Sequence, residues 1–172
     1  MIHELYTEDY IRSILMTAKT IAVVGASNNP VRPSYFVVKY LLSKGFKVFP
    51  VNPGIAGQEI AGQLVYASLK DIPDPIDMVD IFRNSDAALA ITKEAIAIGA
   101  KVVWMQLTVR NDEAAALAEG AGLQVVMNRC PKIEYGRLSG EIGWAGVNSG
   151  TISSSRGKLG ATGAQNRVLG KQ

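Results

Sequence analysis

The chain has 172 residues, 48% of them apolar and 19% charged, which suits one domain with a full core and the balance of a soluble globular protein. No apolar run approaches the ~20 residues that span a bilayer; the start Met1-Ile2-His3-Glu4 lacks a basic and apolar leader pattern, and the lone Cys130 excludes an intrachain disulfide, so a cytoplasmic protein is expected. The formal charge of +3 does not mark a nucleic-acid binder. Glu141 is the last acid, residues 1–141 hold 14 basic and 15 acidic side chains, and the excess lies in Arg156, Lys158, Arg167 and Lys171.

Thr7 followed by Glu8 and Asp9 predicts a helix start, with Tyr10, Ile11, Ile14 and Leu15 as its apolar face and an end near Ala18-Lys19. Thr20 to Val24 is a strand that is apolar throughout, the pattern of a parallel strand covered on both faces. A second helix is expected from Pro33 or Ser34 to Lys44, with Phe36, Val37, Tyr40 and Leu41 facing inward and Gly45 as its stop. Phe46 to Val51 is strand two, ended by the turn Asn52-Pro53-Gly54. Residues 55–70 read as a connecting segment with a short extended piece at Gln63-Leu64-Val65-Tyr66.

Ile76 to Phe82 is the next strand, with Arg83-Asn84 at its carboxyl end. Ser85-Asp86 caps a helix that runs to Ile98 and closes at Gly99. Lys101 to Leu107 is a strand, Asn111-Asp112-Glu113 opens a helix that ends at Gly120 and Gly122, and Leu123 to Met127 is one more strand. Four helices interleaved with at least five strands by long crossovers predict an α/β fold, a Rossmann-like doubly wound and mostly parallel sheet with helices on both faces. Residues 1–138 form that domain. Residues 139–172 change to glycine, serine and basic residues, and from Ser149 they read as an extended arm, able to lie on another copy of the chain, or as a disordered tail.

The stretch Ile21 to Pro30 joins an apolar strand to a glycine turn and then a helix start, the arrangement that offers unpaired N–H groups and a partial positive charge to a phosphate. Gly25, Ala26 and Ser27 supply amides and a hydroxyl, and Arg32 at the helix entrance adds a charged donor. The plainer reading is a tight turn at Gly25 capped by Ser27. A nicotinamide dinucleotide site normally has G-x-G-x-x-G here and an acid at the end of strand two. This chain has Gly25, Ser27 and Pro30 at those spacings and ends strand two at Val51-Asn52-Pro53, so NAD(P) chemistry survives only if Asn52 replaces the acid. The P-loop pattern is absent as well.

Several stretches together resemble one family, the CoA-binding domain similar to the N-terminal domain of the succinyl-CoA synthetase α subunit, in its small stand-alone bacterial form. They are Val24 to Ser27, Asn29-Pro30, Arg32 to Tyr35, Val51 to Pro53, Val79 to Arg83, Trp104 to Gln106 and Asn128 to Tyr135, in collinear order over roughly residues 10–138. The resemblance implies a Rossmann-like fold with coenzyme A or an acyl-CoA across the carboxyl edge of the sheet. It implies a phosphate loop at Gly25, Ala26, Ser27 and Asn28 with Arg32 and Ser34, and an adenosine border at Val51, Asn52 and Pro53. Phe82 and Arg83 would meet the nucleotide or upper pantetheine, and Trp104, Met105 and Gln106 would line the pantetheine arm, with Asn128 and Arg129 nearby. Asn128 stands where the family often has Asp, which removes a charge. From the residues alone, Trp104 and Met105 also fit a core, and Phe82 also fits a strand running into the interior.

Cys130 follows Arg129, so a thiol with lowered pKa facing the site is one expectation, with a mixed disulfide to the CoA thiol as its consequence; a small buried side chain is the other. His3, the sole histidine, reads as solvent-exposed, which leaves metal sites and Ser-His or Cys-His relays without their base. Asp80 is expected to be buried, hydrogen-bonded and structural. With no catalytic set in view, a CoA or acyl-CoA binding protein is the first reading. An enzyme subunit acting on a CoA thioester with a partner chain is the second.

Overall fold

The computed structural model describes residues 3–141. In chain order these form α1 (Glu8–Thr17), β1 (Thr20–Val24), α2 (Pro33–Ser43), β2 (Lys47–Val51), β3 (Glu59–Ile60), β4 (Gln63–Leu64), β5 (Met78–Ile81), α3 (Ser85–Ala97), β6 (Val102–Met105), α4 (Asp112–Gly120), β7 (Gln124–Val126) and α5 (Pro131–Leu138). The main sheet has the order β2-β1-β5-β6-β7, and all of its pairs are parallel. This is the expected Rossmann-like α/β sheet. Its strand order reverses between β1 and β5, the crevice where open parallel sheets hold ligands.

The sheet separates two apolar layers. On one face Ile21, Val23, Met78, Val102 and Trp104 meet Ile11 and Ile14 of α1, Val38 and Leu41 of α2, and Tyr135 and Leu138 of α5. On the other, Ala22, Val79, Ile81, Val103 and Met105 meet Ala88, Ile91 and Ala95 of α3 and Ala114, Ala115 and Ala118 of α4. Burial on both sides is why β5 and β6 carry no alternation and read as continuous apolar runs. Asp80 is the exception. It shares a row with Val23 and Trp104, is fully buried, and accepts from Gln106 Nε2 at 3.2 and 3.1 Å.

Local signals account for the element ends. Thr7 accepts from the Tyr10 amide at the start of α1, and Asn111 from the Ala114 amide at the start of α4. Gly45 and Gly99 follow α2 and α3 at φ +90° and +74°. At α3 the cap is Asn84 rather than Ser85, because the Asn84 side chain takes the Ala87 amide and Ser85 is already helical.

Other expectations are corrected. Val37 and Leu41 of α2 are buried as expected, but Phe36 is 52% exposed, Tyr40 is half-buried, and Ser34 and Val38 are buried beside them; the helix is apolar nearly all round, so its pattern does not select a face. The connecting segment contains the antiparallel hairpin β3–β4, and Tyr66 bridges Val51 beside it. A fifth helix, α5, lies where no helix was expected. His3 is buried, with Nδ1 2.9 Å from the Tyr6 hydroxyl three residues on and Nε2 3.5 Å from Glu119, a contact made over long sequence separation.

Packing continues past Leu138. Ser139 is buried, and the Glu141 carboxylate accepts from Tyr40 at 2.7 Å and pairs with Lys44. The arm or tail expected from Ser149 lies outside the described residues. Among the described residues, no helix is long and apolar enough to cross a membrane.

Candidate functional site

The turn after β1 is built by short-range bonds that its small residues make possible. Gly25 takes φ +87°, and its N–H donates to the Val51 carbonyl at 2.9 Å while the Phe82 N–H donates to the Val24 carbonyl at 2.8 Å. A Cβ on Gly25 would stand 2.9 Å from Arg83 Cδ and 3.0 Å from the Phe82 carbonyl oxygen, so this residue lets the β1 and β5 ends close on each other. Beyond it, the Ser27 N–H donates to Ser34 Oγ, the Asn29 N–H to Ser27 Oγ, and the Val31 N–H to Asn29 Oδ1. Asn52 Nδ2 donates to the Ala26 carbonyl at 2.8 Å and ties the end of β2 to the turn.

After these bonds are made, the N–H groups of Ala26, Asn28 and Ser34 have no acceptor among the described residues. Unpaired donors in a glycine turn and in the first turn of α2 suit a phosphate. Arg32 stands exposed at the N-cap of α2, its N–H bonded to the Asn29 carbonyl, so it belongs to the same turn.

Beside the turn opens a cleft of about 790 Å³, within the size of small-molecule sites. One wall is Val31, Pro33, Phe36 and Val37, from the start of α2. Phe82, Arg83, Asn84 and Ser85 enter from the end of β5 and the start of α3, and Gln106 to Val109 from the end of β6. Cys130, Lys132 and Ile133, at the start of α5, complete it. The N-terminal ends of α2, α3 and α5 therefore converge on one edge of the sheet, and Arg83 and Lys132 add fixed positive charge there.

The electrostatics beneath the cleft run the other way. Burial pushes the Asp80 carboxyl up to about 8, only partly offset by the Gln106 amide. Burial also raises the Cys130 thiol. The expected lowering by Arg129 does not occur, because that guanidinium turns away from the thiol: it lies 5.7 Å from the Tyr6 ring centroid and 3.8 Å from Glu134. Cys130 is 7% exposed and forms part of the cleft lining, so the buried-side-chain reading holds for it.

Of the residues singled out from the sequence, the structure brings Gly25, Phe82, Arg83, Gln106 and Cys130 to one place, with Ala26, Ser27, Asn28, Arg32 and Ser34 forming the adjoining turn. Val51 is buried under that turn, and Asn52 and Pro53 border it. Trp104 and Met105 have no exposed surface and sit in opposite layers of the core, with Trp104 Nε1 donating to the Arg129 carbonyl. Asn128, at φ +53°, accepts the Thr108 N–H at 2.8 Å and so shapes the loop that borders the cleft. Sequence reading missed the wall made by Val31, Phe36, Leu107 and Ile133. Pro131 at the first helical position of α5 is a local signal that would have found the last of these.

A family model described as CoA binding domain matches residues 19–136. The chain is 38% identical to Uncharacterized protein YneT of Bacillus subtilis over 125 residues, 73% of this chain and 91% of that one. A solved structure of a hypothetical protein from Pyrococcus horikoshii OT3 superposes with a TM-score of 0.74 at 45% identity, covering 79% of this chain and 94% of the other. The ADP-forming acetate–CoA ligase I subunit alpha of Pyrococcus furiosus is 36% identical over 93 residues, 52% of this chain but 20% of that subunit.

Proposed function

The chain belongs to the CoA binding domain family, and from that premise we propose that it binds coenzyme A or an acyl-CoA as its working ligand. The observation that carries this reading is the set of unpaired amides at Ala26, Asn28 and Ser34 next to a cleft at the strand-order reversal. The ADP pyrophosphate sits on those donors with Arg32 beside it, and the adenosine lies against Val51 to Pro53. The pantetheine passes Phe82 and Arg83 into the cleft above Gln106. Residues 1–138 are the binding unit, and the protein works in the cytoplasm.

A nicotinamide dinucleotide is disfavoured by the state of Asn52. Its Nδ2 donates to the Ala26 carbonyl and its Oδ1 accepts from the Gly54 N–H, so the side chain is held by the turn, and it carries no charge to grip a ribose in place of the missing acid.

The likeness to the acetate–CoA ligase subunit favours a second reading, in which the chain presents CoA to a partner that performs thioester chemistry. Native mass spectrometry of the full chain, with calorimetric titration against CoA, dephospho-CoA and NAD, tests both. CoA held by the chain alone, with no second chain co-purifying, supports the first reading. Co-purification of a second chain, with acetyl-CoA turned over only by the pair, supports the second, and binding of NAD in preference to CoA overturns both.

A further inference from the structure

Eight large apolar side chains stand exposed among the described residues, and four of them, Val31, Phe36, Leu107 and Ile133, line the one cleft. Their exposures of 74, 52, 47 and 44% are far above what core positions show. They come from three separate elements, the α2 entrance, the loop after β6 and the first turn of α5, so no single amphipathic helix explains them. Water-facing apolar groups gathered on the walls of a concavity are the mark of a site that binds an apolar group. A pantetheine arm alone, with its two amides, does not call for that wall. Of the polar lining, Arg83 lies beside the glycine turn, with its Cδ 2.9 Å from the Cβ position of Gly25, while Gln106, Thr108 and Lys132 enter from the other elements.

We propose that the cleft is an acyl subsite: the ligand is a medium-chain acyl-CoA, and its hydrocarbon lies along the wall formed by Val31, Phe36, Leu107 and Ile133. This rests on the reading that CoA binds at the adjoining turn and extends it by naming the ligand class. The thioester then enters the cleft above Gln106 and Cys130, and the alkyl chain covers apolar surface that is otherwise wet. The concave form and the adjacent unpaired amides favour a small ligand over a second copy of the chain, since contacts between copies use broad surfaces rather than a pocket of this size.

Calorimetric titration of the full chain with CoA and with acetyl-, butyryl-, hexanoyl- and octanoyl-CoA tests the subsite. Affinity is expected to rise roughly twofold per methylene, half of the about fourfold that complete burial of each CH2 gives. Phe36→Ser and Ile133→Ser should flatten that rise, measured in each variant relative to its own CoA affinity; both side chains are already partly in water, so these changes spare the core. A chain-length series that is flat while CoA itself binds overturns the acyl subsite and leaves the CoA reading intact. A rise that persists unchanged in both variants also overturns it, by putting the alkyl chain elsewhere. Failure to bind CoA or any thioester overturns the underlying reading. Sedimentation of the same proteins supplies the remaining outcome: a dimer that either serine variant dissociates, with no chain-length effect, makes the wall a contact between copies and refutes the proposal.

Discussion

Replacing Gly25 by alanine puts a methyl group where the next strand already stands. The added Cβ would lie 2.9 Å from Arg83 Cδ, 3.0 Å from the Phe82 carbonyl oxygen and 3.2 Å from its carbon. The arginine methylene can swing aside, but the Phe82 carbonyl is part of the backbone leaving β5. At φ +87° the residue also holds a conformation that costs an L side chain about 1–2 kcal/mol, and forcing the two strand ends apart adds about 1–3 kcal/mol. Gly122→Ala separates the two effects, because Gly122 has φ +85° and nothing within 4 Å of its Cβ position. Urea denaturation should therefore place Gly25→Ala about 1–3 kcal/mol below Gly122→Ala at equal m value. CoA affinity, set by the turn and by Arg83, should fall at least about tenfold in Gly25→Ala and stay level in Gly122→Ala. Equal midpoints for the two variants would falsify the close approach. A destabilised Gly25→Ala that binds CoA normally would show that the turn is not the phosphate site.

Arg83→Ala should weaken CoA about tenfold with little change in stability, since the side chain is exposed and its contribution is one charge-assisted contact; an unchanged titration removes Arg83 from the site. The Asp80 carboxyl moves from its ordinary 3.8 to about 8 on folding, so the folded state holds the proton more tightly. Its contribution is complete below the unfolded value and is lost as pH rises through about 8. Asp80→Asn should thus lose less stability than the parent between about pH 4 and about pH 8, and parallel curves for the two proteins contradict the assignment. Asp77 does not blur that window. Burial pushes its carboxyl up, but Lys101 and the amides of Lys19 and Thr20 outweigh this and hold it at about 2, so its contribution is lost only under acid conditions as pH falls through that value. Cys130, buried and with its thiol raised, should form a mixed disulfide with oxidised CoA slowly at neutral pH and faster as pH rises; rapid formation of the adduct in intact-mass measurements at neutral pH refutes the buried-thiol reading.

Much of the scaffold was legible because its signals are local. The bounds of β1 follow from a run of apolar residues between Lys19 and Gly25, and the caps at Thr7 and Asn111 need only the next turn of helix. The glycine turn was legible for the same reason: strand, Gly25 and helix start lie within fifteen residues. What depends on distant partners was not. His3 is buried against Glu119 of α4, and the guanidinium of Arg129 is drawn to the Tyr6 ring although Cys130 is its neighbour in sequence. The helix α5 is polar, short and interrupted by Gly136, so its periodicity is faint even though it supplies one end of the cleft. In α2 an excess of apolar residues hid which of them face solvent, and the outward turn of Phe36 carries the acyl proposal.

The outer strand β7 is finished by phenols. Tyr10 both accepts from the Val125 N–H at 3.0 Å and donates to the Val125 carbonyl at 3.1 Å, while the Tyr6 hydroxyl takes the Met127 N–H at 2.8 Å. At the opposite border the Tyr66 N–H donates to the Pro50 carbonyl and its own carbonyl accepts from the Asn52 N–H. Main-chain groups of Val125 and Met127 at one margin, and of Pro50 and Asn52 at the other, are thus already occupied. Extending the sheet from one molecule into the next at β7 would require Tyr6 and Tyr10 to be peeled off first, so that edge of the fold carries its own guard against ribbon-like polymerisation.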